Sequence, residues 1–224
     1  MSSTPDTITL KPFRGTVGQD LKEARDCFQT AQHLPLAQNW QPSPDRNFQP
    51  GKIVAAWCPE FFHILATFED EDIVPYGKGH SKSILVISDI FQFFIERPSV
   101  GDYLELHVTP DNQSRTITWT AESLRAFQEA EISVDDILLG ENNGITSQTW
   151  VEEDKAIWNA YLKVPAAVID PKSPLLEPDL RLRGTFCRFD ASPDSVAPVV
   201  SSTSTFTGGP RFHETAVWHQ FLLG

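Results

Sequence analysis

The sequence predicts an all-β fold, a two-sheet antiparallel β-sandwich with an N-terminal helix and short additional helices. Three features carry that reading. First, Ile84–Gln113 reads as two long strands meeting at a Pro-Ser-Val-Gly turn. Ile90, Phe91, Phe93, Phe94 and Ile95 form an apolar run broken only by Gln92, and Leu104, Leu106 and Val108 alternate with Glu105, His107 and Thr109. A one-residue slip would expose all of those apolar side chains, so this hairpin sets the register of its sheet. Second, about nine such segments follow one another with turn residues between them. Third, helical period is strong only in Gln19–Ala31; regular βαβ alternation is absent, which excludes a doubly wound sheet, and no fixed-period repeat suggests a propeller or solenoid.

Taken in order, the N-terminus Met1–Leu10 shows no basic stretch followed by an apolar one. In Gln19–Ala31, Leu21, Ala24, Phe28 and Ala31 recur at helical spacing. Pro35–Pro50 is proline-rich coil around Trp40. Residues 1–50 are thus expected as an extension packed on a domain spanning 51–224, because a helix this short needs a sheet to lie on. Ile53–Trp57 and Phe61–Phe68 read as strands joined at Cys-Pro-Glu, and Gly77–Lys82 as a polar loop. Pro110 ends the central hairpin. Arg115–Thr120 alternates, Ala121–Gln128 reads as a short helix, and Ile145–Val151, Ile157–Val164, Leu180–Phe189 and Trp218–Leu223 complete the strands. Ser201–Gly209 reads as loop.

The chain has 224 residues and 40% hydrophobic composition, with 15 Phe and 6 Trp, enough for a sizeable core. Its formal charge of −12 repels a phosphate backbone, which argues against a nucleic-acid partner. No apolar run is long enough to span a membrane, and with no secretory signal visible a cytoplasmic location is expected. Cys27, Cys58 and Cys187 are odd in number and widely spaced, so they are expected to be buried thiols and not a metal motif or a disulfide framework.

In sequence order, AAW (Ala55–Trp57), ATFEDED (Ala66–Asp72), SDIFQFFIERP (Ser88–Pro98), DYLELHVTPDNQ (Asp102–Gln113), IWNAYLKVP (Ile157–Pro165), RLRGTFCRFD (Arg181–Asp190) and FHETAVWHQFLL (Phe212–Leu223) resemble the strands of family 9 carbohydrate-binding modules and their relatives in the DOMON-like β-sandwich group. The resemblance spans about Gly51–Gly224 and rests on the order and spacing of these segments. It implies a sugar-binding module with calcium as a structural staple. In that family two tryptophans sandwich a terminal sugar. The first of those positions falls here in Ser81–Ile87, which holds no aromatic residue, with Tyr76 and His80 the nearest rings; the second falls near Phe212, beside His213. The family's acidic ligand-binding position corresponds to Gln92 and its basic one to His107, with Arg188 expected to reach the same face. Asp70 and Asp89 match its calcium-holding acids, with Glu69 and Asp72 able to contribute; carboxylate oxygens suit calcium.

Each assignment has a plainer alternative. Gln92 and His107 also fit a cross-strand pair on a wet sheet face, and the acids fit a solvated turn. Glu152–Asp154 is a carboxylate run at a turn. No phosphate loop, nucleophile elbow or zinc-type His pair occurs, so nothing points to an enzyme. The function expected is therefore a non-catalytic carbohydrate-binding protein. The alternatives are a haem-binding electron carrier of the DOMON type, disfavoured because the only methionine is Met1, and an interaction module whose sugar site has degenerated.

Overall fold

A computed structural model describes residues 5–76, 88–140, 142–195 and 197–224. Its strands are β1 (Thr7–Pro12), β2 (Leu34–Pro35), β3 (Gly51–Cys58), β4 (Phe61–Glu69), β5 (Ile90–Arg97), β6 (Asp102–Val108), β7 (Ser114–Trp119), β8 (Thr146–Glu152), β9 (Ile157–Pro165), β10 (Arg181–Asp190), β11 (Val199–Ser202) and β12 (His219–Leu223). The helices are short: α1 (Leu21–Cys27), α2 (Ala121–Gln128) and α3 (Ala166–Ile169). Of the described helices, none is long and apolar enough to cross a membrane.

All the strands belong to one sheet, in the order β7-β6-β5-β10-β12-β1-β3-β4-β9-β8, with β11 on β10 and β2 on β3. This corrects the expectation of two separate antiparallel sheets. The link is β1, which the sequence reading missed. Thr7–Leu10 run parallel to Gln220–Leu223 of β12, and Lys11 and Pro12 then pair in parallel with Ala56 and Trp57 of β3. A strand that changes partner partway along is one way to turn a corner between sheet layers. Ile8 and Leu10 point inward, and the Leu10 carbonyl accepts from Trp57 Nε1 and from the Gly224 amide.

The sheet folds over so that its two halves face each other. Phe62 of β4 stacks on Phe93 of β5 at 5.4 Å, and Phe68 meets Phe91 at 5.7 Å, although β4 and β5 are not neighbours in the sheet. The central core is built from these rings with Ile53, Trp57, Ile64, Leu104, Leu106, Trp158, Phe186 and Phe221. The open edges approach each other, with Thr149 Oγ1 of β8 donating to the Pro110 carbonyl just before β7, so the sheet is nearly closed.

The hairpin β5–β6 forms as expected, Phe93 facing Leu106 and Gln92 facing His107. The helix is shorter than its periodicity suggests. Asp20 caps it by accepting from the Lys22 amide, and it ends at Phe28, whose ring is buried with Val54, Leu65 and Tyr161 on the outside of the β3–β4–β9 half. Of the cysteines, Cys187 is buried while Cys27 and Cys58 are partly exposed, contrary to expectation for those two.

Because β1 holds the two halves together through buried side chains, Leu10→Ala should cost about 2–5 kcal/mol in denaturant unfolding, as large-to-small core changes do, while the exposed Thr9→Ala should stay within about 0.5 kcal/mol. Equal costs would show that β1 is peripheral.

Candidate functional site

Strand alternation gives the β5–β6–β7–β10 half two different faces. Phe91, Phe93 and Phe186 face the central core. The other face carries Gln92 and Phe94 from β5, Tyr103, Glu105 and His107 from β6, Arg115, Ile117 and Trp119 from β7, and Cys187 from β10, each facing a partner in the ladder. Along one side Phe206, Phe212 and Trp218 cover this face.

A polar network lies at its centre. Glu105 Oε1 accepts from His107 Nε2 at 2.6 Å and from Gln92 Nε2 at 3.0 Å, and Glu105 Oε2 accepts from Trp119 Nε1 at 2.6 Å. Arg115 Nε donates to His107 Nδ1 at 3.2 Å. Because the guanidinium nitrogen can only donate, Nδ1 is the unprotonated nitrogen of His107 and its proton sits on Nε2, facing the carboxylate. Gln92, Glu105 and His107 are buried. Burial pushes the Glu105 carboxyl upward, but His107, His213 and Trp119 outweigh it and hold the group below its ordinary value. Gln92 Oε1 is buried and has no hydrogen-bond partner among the described residues. An acceptor left unmatched costs about 1–3 kcal/mol. From this network His107 and Arg115 reach a cavity of about 350 Å³, also lined by Ser114, Thr116, Leu138 and Asn143.

The expected site residues divide sharply. Gln92 and His107 share a face and touch, 3.1 Å apart. His213 reaches the same cluster, its Nδ1 2.7 Å from Tyr103 Oη and its ring 5.1 Å from that of Trp119; burial lowers its pKa. Tyr76 lies close enough to Arg115 to affect it electrostatically, and its amide donates to Asp111. Phe212 is buried between Phe94, Phe189, Phe206 and Trp40, so its ring offers no stacking face; Trp40, packed over it, is partly exposed. Ser81–Ile87 and His80 lie outside the described residues.

Arg188 is not on this face, and the parity of the ladder explains why. Cys187 faces Gln92, so Arg188 faces Phe91 and points into the core. It is wholly buried, with Nη2 2.8 Å from Asp70 and 2.9 Å from Asp190, and Nη1 donating to the Glu69 carbonyl at 2.9 Å. Asp70 also accepts from Trp158 Nε1 and from the Asp72 amide, while the oxygens of Asp89 accept from the amides of Val74 and Ala191. Asp70, Asp72 and Asp190 bring carboxylate oxygens within 4.8 Å of one another. The Arg188 guanidinium stands between Asp70 and Asp190 as their counter-cation, and each oxygen of Asp89 accepts one backbone amide.

Sequence reasoning missed Glu105, the hub of the network, and Arg115 and Trp119 beside it. Glu105 was read as the wet side of a half-buried strand. Placing β7 against β6 would have shown a glutamate, a histidine, an arginine and a tryptophan on one face.

No protein-family model and no characterised protein sequence matches the chain. Solved structures do. A candidate carbohydrate-binding protein from Bacteroides uniformis superposes with a TM-score of 0.75 at 11% identity, over 98% of this chain and 99% of that one. A family 9 carbohydrate-binding module from Caldicellulosiruptor kristjanssonii, in complex with cellotriose, gives 0.66 at 11% identity over 97% and 93%. A family 9 module from the same organism with glucose gives 0.63 at 10% identity over 98% and 96%. The fold is therefore that of the family 9 carbohydrate-binding modules.

Burial and the neighbouring Asp70 push the Asp89 carboxyl up from 3.8 to about 8. The folded chain holds this proton more tightly than the unfolded one, so the stability it confers is complete below the unfolded pKa and is lost as pH rises toward 8. The limiting slope is about 1.4 kcal/mol per pH unit. Between pH 5 and 8 the melting temperature of Asp89→Asn should therefore fall less than that of the wild type; parallel curves would show that Asp89 does not titrate there.

Proposed function

We propose that this is a non-catalytic carbohydrate-binding protein that recognises a mono- or short oligosaccharide at the Gln92–Glu105–His107–Arg115 network. The observation that carries the reading is Gln92 Oε1, a buried acceptor that has no partner among the described residues inside an otherwise satisfied network, on a fold that sugar-bound modules share. A sugar presents hydroxyls that both donate and accept. One can donate to Gln92 Oε1, while the terminal nitrogens of Arg115 supply donors to another. The adjoining cavity, about 350 Å³, sits at the small end of the ligand-pocket range of ~300–1,000 Å³ and suits one sugar ring. With Phe212 buried, an apolar sugar face would find Trp40 as the part-exposed ring over that end of the face. Glu105 sits as hub and not as a general acid; its oxygens are bonded to Gln92, His107 and Trp119.

A second reading, an interaction module whose sugar site has closed, draws support from the burial of Gln92, His107 and Phe212. The structural cation that the family resemblance implies is, on the present reading, replaced by Arg188, so melting with and without EDTA should coincide; a drop with EDTA would restore calcium at Asp70 and Asp89.

A thermal-shift panel of neutral mono- and oligosaccharides tests the main reading. A ligand at a hundred times its dissociation constant should stabilise by about 2.7 kcal/mol, and Arg115→Ala should remove most of the response. Silence across the panel, or a response unchanged in Arg115→Ala, would favour the closed-site reading.

A further inference from the structure

The opposite half of the sheet carries a second cavity that the sugar reading does not use. Helix α1 and the chain after it lie over the outer face of β3, β4 and β9 and leave an opening of about 320 Å³ beside Phe28. Its floor is apolar, with Phe28, Val54, Leu65 and Ile157. Its rim carries Arg25, His33 and Lys52, with Gln29 and Thr67. In a chain of formal charge −12, no carboxylate of the described residues lines this cavity.

The cations differ in how they are used. Arg25 is held by Glu152 at 2.7 Å and reaches Asn159 Oδ1 at 3.3 Å, which fixes one wall. Lys52 and His33 are exposed, and among the described residues neither side chain has a hydrogen-bond or ion-pair partner. Lys52 stands on β3 opposite Thr67 of β4, two residues along the same face from the Val54–Leu65 pair, and lines the cavity with them. A neutral polar ligand gains little from an apolar floor, and a cation is repelled by the rim.

We propose that this cavity takes a small amphipathic monoanion, a carboxylate on a short aliphatic chain or single ring, with its tail on Val54 and Leu65 and its carboxylate at Lys52. The volume, near the lower limit of ligand pockets, restricts the tail to a short one. Lys52 supplies the charge-assisted hydrogen bond.

Isothermal titration of the full chain with octanoate, and with octan-1-ol as the uncharged control of equal chain length, tests this. Octanoate should bind saturably at one site, octan-1-ol about tenfold or more weaker, and Lys52→Gln should weaken octanoate by a similar factor while leaving octan-1-ol unchanged. Lys52 is exposed and bonded to nothing described, so this variant should melt with the wild type. No saturable octanoate binding, equal affinity for the alcohol, or octanoate binding indifferent to Lys52→Gln would each overturn the proposal, whatever the sugar panel shows.

Discussion

A single buried guanidinium sets the terms for the rest of the molecule. Arg188 leaves β10 on its core face and bonds the carboxylate of Asp70 and the carbonyl of Glu69, both at the end of β4 in the other half of the sheet. Taking that charge out of water is expensive, and it is tolerable only because Asp70 and Asp190 answer it and Phe68 lies against it at 5.2 Å. Removing Arg188 would leave buried carboxylates without their counter-charge, so the cluster is a poor source of net stability and a strong constraint on alignment. The stacked rings of Phe62 and Phe93 would tolerate some sliding; an ion pair with hydrogen-bond geometry tolerates much less. With β1 joining the halves along their length and Arg188 pinning one end, the register of β10 against β5 follows.

That register decides what the outer face can do. Once Phe91, Phe93, Phe186 and Arg188 are committed inward, Gln92, Glu105, His107 and Arg115 must share the other side. One ladder thus separates two kinds of buried polar chemistry. Inside, a buried cation is held by Asp70 and Asp190, with Arg188 Nε alone of its nitrogens lacking a partner among the described residues. Outside, a glutamate gathers three donors, one buried amide oxygen has no partner among the described residues, and His107 and Arg115 of the same network line a cavity of mixed polar and apolar walls. The first arrangement serves the fold. The second retains capacity for a hydrogen-bonding ligand.

Much of the fold was legible because long strands with one core face announce themselves. The run around Gln92 and the alternation Leu104–Val108 gave both the hairpin and its register. β1 was not legible. Only Ile8 and Leu10 point inward in it, Pro12 argues against a strand, and its parallel partners lie far away in sequence at Ala56 and Gln220. The helix was overextended because Phe28 and Ala31 keep the periodicity while packing from beyond its end. At the site, Gln92 stands out as the break in an apolar run, and the family resemblance placed it and His107 together on one face. Arg188 was misplaced by one residue's parity, which becomes visible only when Cys187 is seen facing Gln92. Phe212 sits in a loop without period, so nothing local showed that four aromatic rings enclose it.

The claim that this outer face is the ligand surface is most directly tested by following side-chain amide and indole signals in a two-dimensional nitrogen–proton NMR titration with whichever neutral sugar binds. The account predicts that the Gln92 side-chain amide and the Trp119 indole N–H, both bonded to Glu105, shift together and saturably, while the Trp150 indole on β8 stays fixed. Saturable shifts at Trp150 with Gln92 and Trp119 unmoved would contradict it.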